Sequence, residues 1–213
     1  WAQLEAVVGA EPRIKQITED LIEHFDTRTQ TQPGKAMIVC MSREICVKFY
    51  ETLRKLKPEL HDEDLSKGQM KIVMSASASD VKEFQPHHTN RLQKKDLENR
   101  FKDPSDPLKI VIVRDMWLTG FDAPCLSTMY VDKPMQGANL AQAIARVNRV
   151  FADKPGGLIV DYIGIAPQLK EALATYSGAN GKGRPTIDAS EALKILEEKL
   201  MVARDLLHPI DWS

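Results

Sequence analysis

The stretch Gln142-Ala-Ile-Ala-Arg-Val-Asn-Arg149 brings together three side chains of types that bind phosphate. On a helix that turns about 100° per residue, Gln142, Arg146 and Arg149 fall within roughly 60° of one another. Two guanidiniums one turn apart repel each other unless an anion or a carboxylate lies between them, and their planar forks fit phosphate oxygens. The apolar residues are on the opposite side of this helix: Leu140, Ala143, Ile144, Val147, Val150 and Phe151. The stretch predicts a helix at 138–151 with one core face and one phosphate-binding face, although such a polar face also occurs on ordinary solvated helices.

The segment Arg114-Asp-Met-Trp-Leu-Thr-Gly-Phe-Asp-Ala-Pro124 supplies further candidate groups. Gly120 permits close approach of the backbone to a phosphate or to a neighbouring domain. Asp122, two residues before Pro124, is predicted to hold a fixed carboxylate that accepts from a ribose hydroxyl or pairs with an arginine. A plain turn between strands is an equally good interpretation of this segment taken alone.

Five short apolar runs predict central parallel strands, because most of them lack the alternation of a half-exposed sheet. They lie at about 36–41, 70–75, 108–113, 127–131 and 158–163. Helical patterns at 43–56, 92–101 and 138–151 alternate with them, and Ser42 is a candidate N-cap for the first. Strand and helix alternating in this way predict an open α/β sheet with right-handed crossovers.

Further helical patterns flank this sheet in the chain. An amphipathic helix at 12–27 precedes it, and helices at 167–176 and 188–207 follow it, separated by a glycine-containing stretch. We therefore predict a lead-in helical segment at 1–33, an α/β domain at 34–176, a linker at 177–187, and at 188–213 a helix that leads into a C-terminal helical region.

Composition limits the classes of protein to which the chain can belong. The 213 residues are 43% hydrophobic with a net charge of −1, so the chain can bury one full core, and any nucleic-acid contact must come from a local patch. No apolar run approaches the roughly 20 residues that cross a bilayer, which predicts a protein that is neither secreted nor membranous. Cys40, Cys46 and Cys125 show no CxxC spacing, which favours a reducing cytoplasm without disulfides or zinc. Because the first residue is Trp1, we expect a piece of a longer protein.

Several common site motifs are missing from the sequence. The first predicted strand runs into Met41-Ser-Arg-Glu44 without the glycine-rich turn that cradles phosphate, and Gly178-Ala-Asn-Gly-Lys182 has the wrong spacing for a phosphate loop. No Gly-x-Ser-x-Gly elbow is present. The pair His87-His88 is predicted to lie in a solvated loop rather than to bind a metal.

The remaining candidate groups converge on one edge of the predicted sheet. Ser42 and Arg43 follow the first strand, and the segment 114–124 follows the third. Open α/β sheets bind ligands beyond the carboxyl ends of their strands. We therefore expect Ser42, Arg43 and Thr119 to lie along the same edge as the predicted phosphate-binding helix.

The order and content of these segments resemble motifs IV, V and VI of superfamily 2 helicases, in the second RecA-like motor domain. More narrowly, four runs resemble the motor and nuclease (R) subunit of type I restriction enzymes. They are Lys109-Ile-Val-Ile-Val-Arg-Asp-Met-Trp-Leu-Thr-Gly-Phe-Asp-Ala-Pro124, Met129-Tyr-Val-Asp-Lys-Pro-Met135, Gln142-Ala-Ile-Ala-Arg-Val-Asn-Arg-Val-Phe151 and Gly157-Leu-Ile-Val-Asp-Tyr-Ile-Gly164. The resemblance implies a RecA-like sheet of the P-loop NTPase class over nearly the whole chain.

The resemblance also implies a role for each matched residue. ATP and Mg²⁺ are held mainly by a first motor domain that this chain lacks, and Arg146 and Arg149 match the two arginine fingers that reach the γ-phosphate. Gln142 matches the leading glutamine of motif VI. In motif V, Gly120 and Asp122 match positions near the nucleotide and Thr119 matches one near DNA. Ser42 and Arg43 match motif IV, which implies contact with the DNA backbone.

The family further implies partners: duplex DNA, the first motor domain and nuclease domain of the same polypeptide, and the modification and specificity subunits. Ala143 and Ala145 replace the arginine and glycine of common superfamily 2 sequences, which agrees with a family that pumps duplex DNA without unwinding it. Arg114 stands where motif V often has threonine, and it either contacts phosphate or pairs with a carboxylate such as Asp115. Two alternatives stay open: a strand-separating helicase or remodeller, and a non-catalytic DNA-binding scaffold.

Overall fold

The computed structural model of the chain describes residues 2–149, 156–165 and 167–168. All of them belong to the first of two compact units, Trp1–Ala172. The predicted linker at 177–187 and helix at 188–213 lie outside the described residues, as does most of the helix predicted at 167–176. The predicted domain boundaries therefore stay predictions.

The described residues form five α-helices and five strands. The helices are α1 (Ala2–Val8), α2 (Glu11–Thr31), α3 (Arg43–Leu56), α4 (Arg91–Lys102) and α5 (Gly137–Val147). The strands are β1 (Lys35–Cys40), β2 (Met70–Val73), β3 (Ile110–Val113), β4 (Leu126–Asp132) and β5 (Leu158–Asp161). Two short 3-10 turns lie at Pro58–Leu60 and Lys82–His87.

The five strands form one parallel sheet in the order β2-β3-β1-β4-β5. Ile38 at the centre pairs with Ile112 on one side and Tyr130 on the other. The chain winds outward from β1 to β2, returns to β3 and then crosses to β4 on the far side of β1. This arrangement confirms the open parallel α/β sheet predicted from the sequence, and it places the carboxyl ends of all five strands at one edge.

Helices α2 and α3 cover one face of the sheet. Ser42 Oγ accepts a hydrogen bond from Ile45 N at 3.3 Å, which caps α3 as predicted. The apolar side chains of the two helices pack in one core with the alternate strand residues that point to this face of the sheet. These strand residues include Ile38, Ile72, Ile112 and Tyr130.

Helix α5 packs on β4 and β5. Side chains alternate between the faces of a strand, so Met129 and Val131 point away from the α2 side of the sheet. The apolar stripe predicted for this helix is buried through Leu140, Ala143, Ile144 and Val147. Strand β4 consequently lies between α2 on one face and α5 on the other.

Two helix predictions differ from the structure. The lead-in segment contains a separate helix, α1, before α2, and a turn at Gly9 and Ala10 divides them. Helix α5 ends at Val147, so Arg149 lies beyond its last turn instead of on the predicted helical stripe. Asn148 adopts φ −85° and ψ 22° at the C-cap, and asparagine favours such positions over a helix interior.

Candidate functional site

The C-terminal end of α5 lies against the loop that follows β3. Arg146 Nε donates a hydrogen bond to the carbonyl oxygen of Leu118 at 2.7 Å. Burial lowers the pKa of Arg146; Asp122 opposes this effect and Arg149 adds to it. Arg146 is thus half-buried and held by a neutral acceptor, in the electrostatic field of one carboxylate and one further cation.

Arg149 is held by the same loop. Its Nη1 atom lies 2.7 Å from Asp122 Oδ2, and the two side chains are 56% and 47% exposed. The three charged groups Arg146, Arg149 and Asp122 sum to +1, and neither guanidinium is enclosed in the interior of the domain. The cluster is therefore an open cationic edge, with charge and space for an anion.

Thr119 and Gly120 lie between the two anchor points of this loop, and both are exposed. Gly120 has φ 67°, a conformation that strains a residue with a side chain. No atom lies within 4 Å of the position a Cβ would take at Gly120, so the backbone there is open to an approaching group. Gln142, also exposed, stands one turn before Arg146 on α5. The structure thus brings Asp122, Arg146 and Arg149 together, with Thr119 and Gly120 in the same loop and Gln142 one turn away on α5.

An aromatic stack that the sequence analysis did not predict packs two residues of the loop after β3 against the end of α4. The rings of Trp117 and Phe121 stack at 4.4 Å with an interplanar angle of 7°. Phe101 at the end of α4 stacks on both of them, at 5.9 Å and 6.1 Å. Trp117 has φ 66°, which is rare for a bulky residue and persists only where the surroundings impose it. The spacing of Trp117 and Phe121 around Gly120 was the available sequence signal for this stack.

A cavity of about 450 Å³ adjoins Thr119 on the side of the segment that links β4 to α5. Lys133 Nζ donates to the carbonyl oxygen of Arg114 at 3.0 Å and pairs with Asp115. Arg114 Nε lies 3.3 Å from the same carboxylate. The sequence left two roles open for Arg114, a contact with phosphate and a pair with a carboxylate. In the structure Arg114 forms the second, an exposed ion pair with Asp115.

The predicted DNA contacts at the end of β1 already have partners within the domain. Besides Ser42, which caps α3, Arg43 forms a forked pair with Asp80 at 2.7 Å and 2.8 Å and lies 5.2 Å from the ring of Phe84. Arg43, with help from Ser77 N and His88, lowers the pKa of Asp80 to about 2. Contact of Ser42 and Arg43 with DNA stays a prediction, and Arg43 would reach DNA from a fixed position.

The prediction of a solvated loop at the two adjacent histidines is wrong for His87. Its side chain is 9% exposed and packs edge-on against Tyr50 at 4.7 Å. His88 Nε2 donates to the Asp80 carboxylate at 3.0 Å. The part of the chain that the structure describes contains no group of three or more His, Cys, Asp or Glu residues that could hold a metal ion.

Burial, reinforced by the positive field of His61 and Lys71, lowers the pKa of His87 to about 4. The unfolded chain binds a proton at this residue below about pH 6.5, whereas the folded chain binds one only below about pH 4. The folded state therefore has its full stability above pH 6.5 and loses stability as the pH falls toward 4. We expect a loss of unfolding free energy on the order of 2 kcal/mol over this window. Urea unfolding at several pH values measures it, and His87→Phe, which keeps an aromatic ring against Tyr50, is the control. An unchanged pH slope in that variant would contradict the assignment.

Among the described residues, we find no helix whose length and apolar character would let it span a membrane.

Comparison with known proteins identifies the family. Residues 75–164, which include the loop after β3, α5 and β5, match the sequence profile of "Type I restriction enzyme subunit R domain 3". A protein of Haemophilus influenzae, the type I restriction enzyme HindI endonuclease subunit, is 50% identical over 205 residues and 95% of this chain. The chain belongs to the type I restriction enzyme R subunit family.

This R subunit chain also resembles a relative from an archaeon and a solved structure. The putative MjaIXP endonuclease subunit of Methanocaldococcus jannaschii is 45% identical over 94% of the chain. The chain spans 19% and 18% of the lengths of these two relatives. The fragment structure of a putative HsdR subunit from Vibrio vulnificus superposes with a TM-score of 0.60 and 18% identity, over 87% of this chain and 32% of that one. Together with the parallel sheet order, this superposition confirms the predicted RecA-like fold.

Proposed function

We propose that this chain is the second motor domain of an ATP-dependent duplex-DNA translocase within a type I restriction R subunit. The proposal is supported above all by one observation: the loop after β3 and the end of α5 assemble an open cationic edge from Arg146, Arg149 and Asp122. A RecA-like sheet without a phosphate loop of its own is suited to act on a triphosphate bound by a neighbouring domain.

In this proposal Arg146 and Arg149 place positive charge at the γ-phosphate of ATP seated on the first motor domain. Mg²⁺ bound together with ATP on the first motor domain would supply further charge neutralisation there. Gln142 and the backbone at Gly120 border the same nucleotide. The carboxylate of Asp122 orients Arg149 through their hydrogen bond. In the closed cleft it either keeps this bond or accepts a hydrogen bond from a ribose hydroxyl.

The DNA contacts in this proposal are Ser42, Arg43 and Thr119 along the same edge of the sheet. Thr119 lies one residue from Leu118, whose carbonyl oxygen binds Arg146, so the DNA-side and ATP-side groups share one short loop. Because the chain has a net charge of −1, it can neutralise few DNA phosphates, which favours weak binding of duplex DNA through a local patch.

We assign the enzyme activity to the intact restriction complex, as an ATP-dependent, DNA-translocating deoxyribonuclease. The partners are then the first motor domain and the nuclease domain of the same polypeptide, together with the modification and specificity subunits. We also assign this complex to the cytoplasm, where the buried free thiols of Cys40, Cys46 and Cys125 stay reduced.

The purified 213-residue chain is expected to show no DNA-stimulated ATP hydrolysis, because the phosphate-binding half of the cleft is not in its sequence. A phosphate-release assay with duplex DNA measures this, with the intact R subunit as the positive control. The matched control is the same chain carrying Arg149→Ala, since activity common to both preparations comes from contaminants. Hydrolysis by the unaltered chain that Arg149→Ala removes would contradict the shared-cleft proposal.

A further inference from the structure

A row of polar side chains on α2 binds β4 and the residue after β5. We name this row the α2 seam, and it consists of four hydrogen-bonded pairs of side chains. They are Arg13–Asp132 at 2.5 Å and 3.1 Å, Asp20–Tyr162 at 2.5 Å, His24–Tyr130 at 2.8 Å and Arg28–Thr128 at 3.0 Å. Residue numbers rise along α2 as they fall along β4, so the helix runs antiparallel to the strand. The three β4 partners alternate along the strand and therefore share one face.

The strand side of the α2 seam is buried in the core. Asp132 is 1% exposed, and Thr128 and Tyr130 are equally enclosed. Burial lowers the pKa of His24 and raises that of Tyr130, so these two residues meet as a neutral hydrogen-bonded pair. A buried polar group that loses its partner destabilises the fold, so α2 cannot slide or rotate on β4 without leaving several groups unpaired.

Arg13 joins more than two elements. Besides Asp132, its guanidinium donates to the carbonyl oxygens of Val8 at the end of α1 and Tyr162 just beyond β5, at 3.0 Å and 3.1 Å. The nearby Gly9 carbonyl oxygen accepts from Lys48 on α3 at 3.1 Å. The start of α2 is thus fixed against the carboxyl ends of β4 and β5.

Strand β4 connects this seam to the candidate site. Tyr130 and Asp132 face α2, while Met129 and Val131 face α5 on the opposite side of the same strand. The chain then passes from β4 through residues 133–136 directly into α5. One strand therefore lies between the α2 seam and the helix that carries Arg146.

We propose that Arg13, Asp132 and Tyr130 are positioning residues for Arg146 and Arg149. The α2 seam makes the lead-in helix and α5 move as one body, so the orientation of α2 sets where the guanidiniums meet the triphosphate. This inference rests on the proposed function, in which both arginines act on ATP held by the first motor domain. Misplacement of a catalytic group by about 1 Å can cost on the order of 100-fold in rate, which makes such positioning measurable.

The test uses the intact R subunit in its complex, with Asp132→Asn and Tyr130→Phe as the two conservative substitutions. Asp132→Asn keeps the shape and removes the charge that meets Arg13, while Tyr130→Phe removes only the hydroxyl that pairs with His24. The matched control is Lys57→Ala, which breaks a half-buried ion pair with Asp26 of α2 at 2.7 Å outside the seam. We expect kcat for DNA-stimulated ATP hydrolysis to fall about 10-fold or more in both seam variants, with KM for ATP within about twofold of the unaltered subunit.

A second readout separates positioning from a general loss of stability. Fluorophores on the first motor domain and on α5 report closure of the cleft with a non-hydrolysable ATP analogue, and we expect a wider spread of closed distances in the seam variants than in Lys57→Ala. If Asp132→Asn fails to fold, Tyr130→Phe and Arg13→Lys carry both measurements. Kinetics and closed distances equal to those of Lys57→Ala would overturn the inference, and so would a rise in KM with unchanged kcat.

Failure of this inference is distinguishable from failure of the proposed function. Loss of turnover on Arg149→Ala with normal turnover in the seam variants rejects positioning by the α2 seam and leaves the proposed function standing. Normal turnover on Arg146→Ala and on Arg149→Ala rejects the proposed function itself, and the inference with it.

Discussion

In the intact R subunit, Arg149→Ala is expected to lower kcat for DNA-stimulated ATP hydrolysis by about 10³ to 10⁵, the range that an arginine finger contributes to phosphoryl transfer. ATP binding should persist, because in the proposed cleft the first motor domain makes most contacts with the ground state. Steady-state hydrolysis gives kcat, and binding of a fluorescent ATP analogue gives the affinity. Arg146→Ala is expected to have an effect of similar size, and it also frees the carbonyl oxygen of Leu118.

Two further variants sharpen the arginine experiment. Arg149→Lys keeps the charge but loses the planar fork, so it should recover little of the lost rate if forked recognition of phosphate is required. Arg54→Ala removes an arginine near the C-terminal end of α3, which packs on the opposite face of the sheet from α5, and should leave kcat unchanged. Normal turnover in both Arg146→Ala and Arg149→Ala would refute the finger assignment, whatever the effect of the lysine variant.

The strands were predictable because burial on both faces requires continuous apolar runs, and the run at 36–41 became β1 within one residue at each end. The bounds of α3 were predicted without error, since Ser42 is a strong N-cap and Pro58 cannot continue a helix. The end of α5 was not predictable from periodicity. The apolar pattern continues to Phe151, but the helix ends at Val147, and the contact between Arg149 and Asp122 spans 27 residues of sequence.

The positions of Ser42 and Thr119 just after β1 and β3 followed from the sheet class, because parallel strands bring their carboxyl ends to one edge. The meeting of Arg146 and Arg149, at the far end of α5, with the loop after β3 did not follow from it. Neither did the partners of Arg43 and His87. Asp80 binds Arg43 from 37 positions away, and Tyr50 encloses His87 from a different helix. The polar residues around His87 in the sequence predicted exposure to solvent, yet the 3-10 turn Lys82–His87 packs against α3 and buries its side chain. Contacts of this kind depend on the three-dimensional arrangement of elements, which short-range sequence spacing does not encode.

Phe101→Ala is expected to lower the free energy of unfolding of the chain by about 3 to 5 kcal/mol, the usual cost of deleting a fully buried aromatic ring. Phe101 is completely buried at the end of α4, and its ring supports the stack of Trp117 and Phe121. Urea unfolding monitored by circular dichroism measures the change. The matched control is Leu92→Ala on the same helix, because Leu92 is 75% exposed and its loss should change stability by less than about 0.5 kcal/mol.

The same ring connects stability to the site. Trp117 holds a left-handed backbone conformation that its packing imposes, and relaxation of that residue would move Leu118, whose carbonyl oxygen binds Arg146. We therefore expect Phe101→Ala in the intact R subunit to reduce ATP turnover even at temperatures where the variant stays folded, and Leu92→Ala to leave turnover unchanged. Full turnover in folded Phe101→Ala would show that the loop keeps its position without the aromatic stack, and the strain at Trp117 would then have no part in placing Arg146.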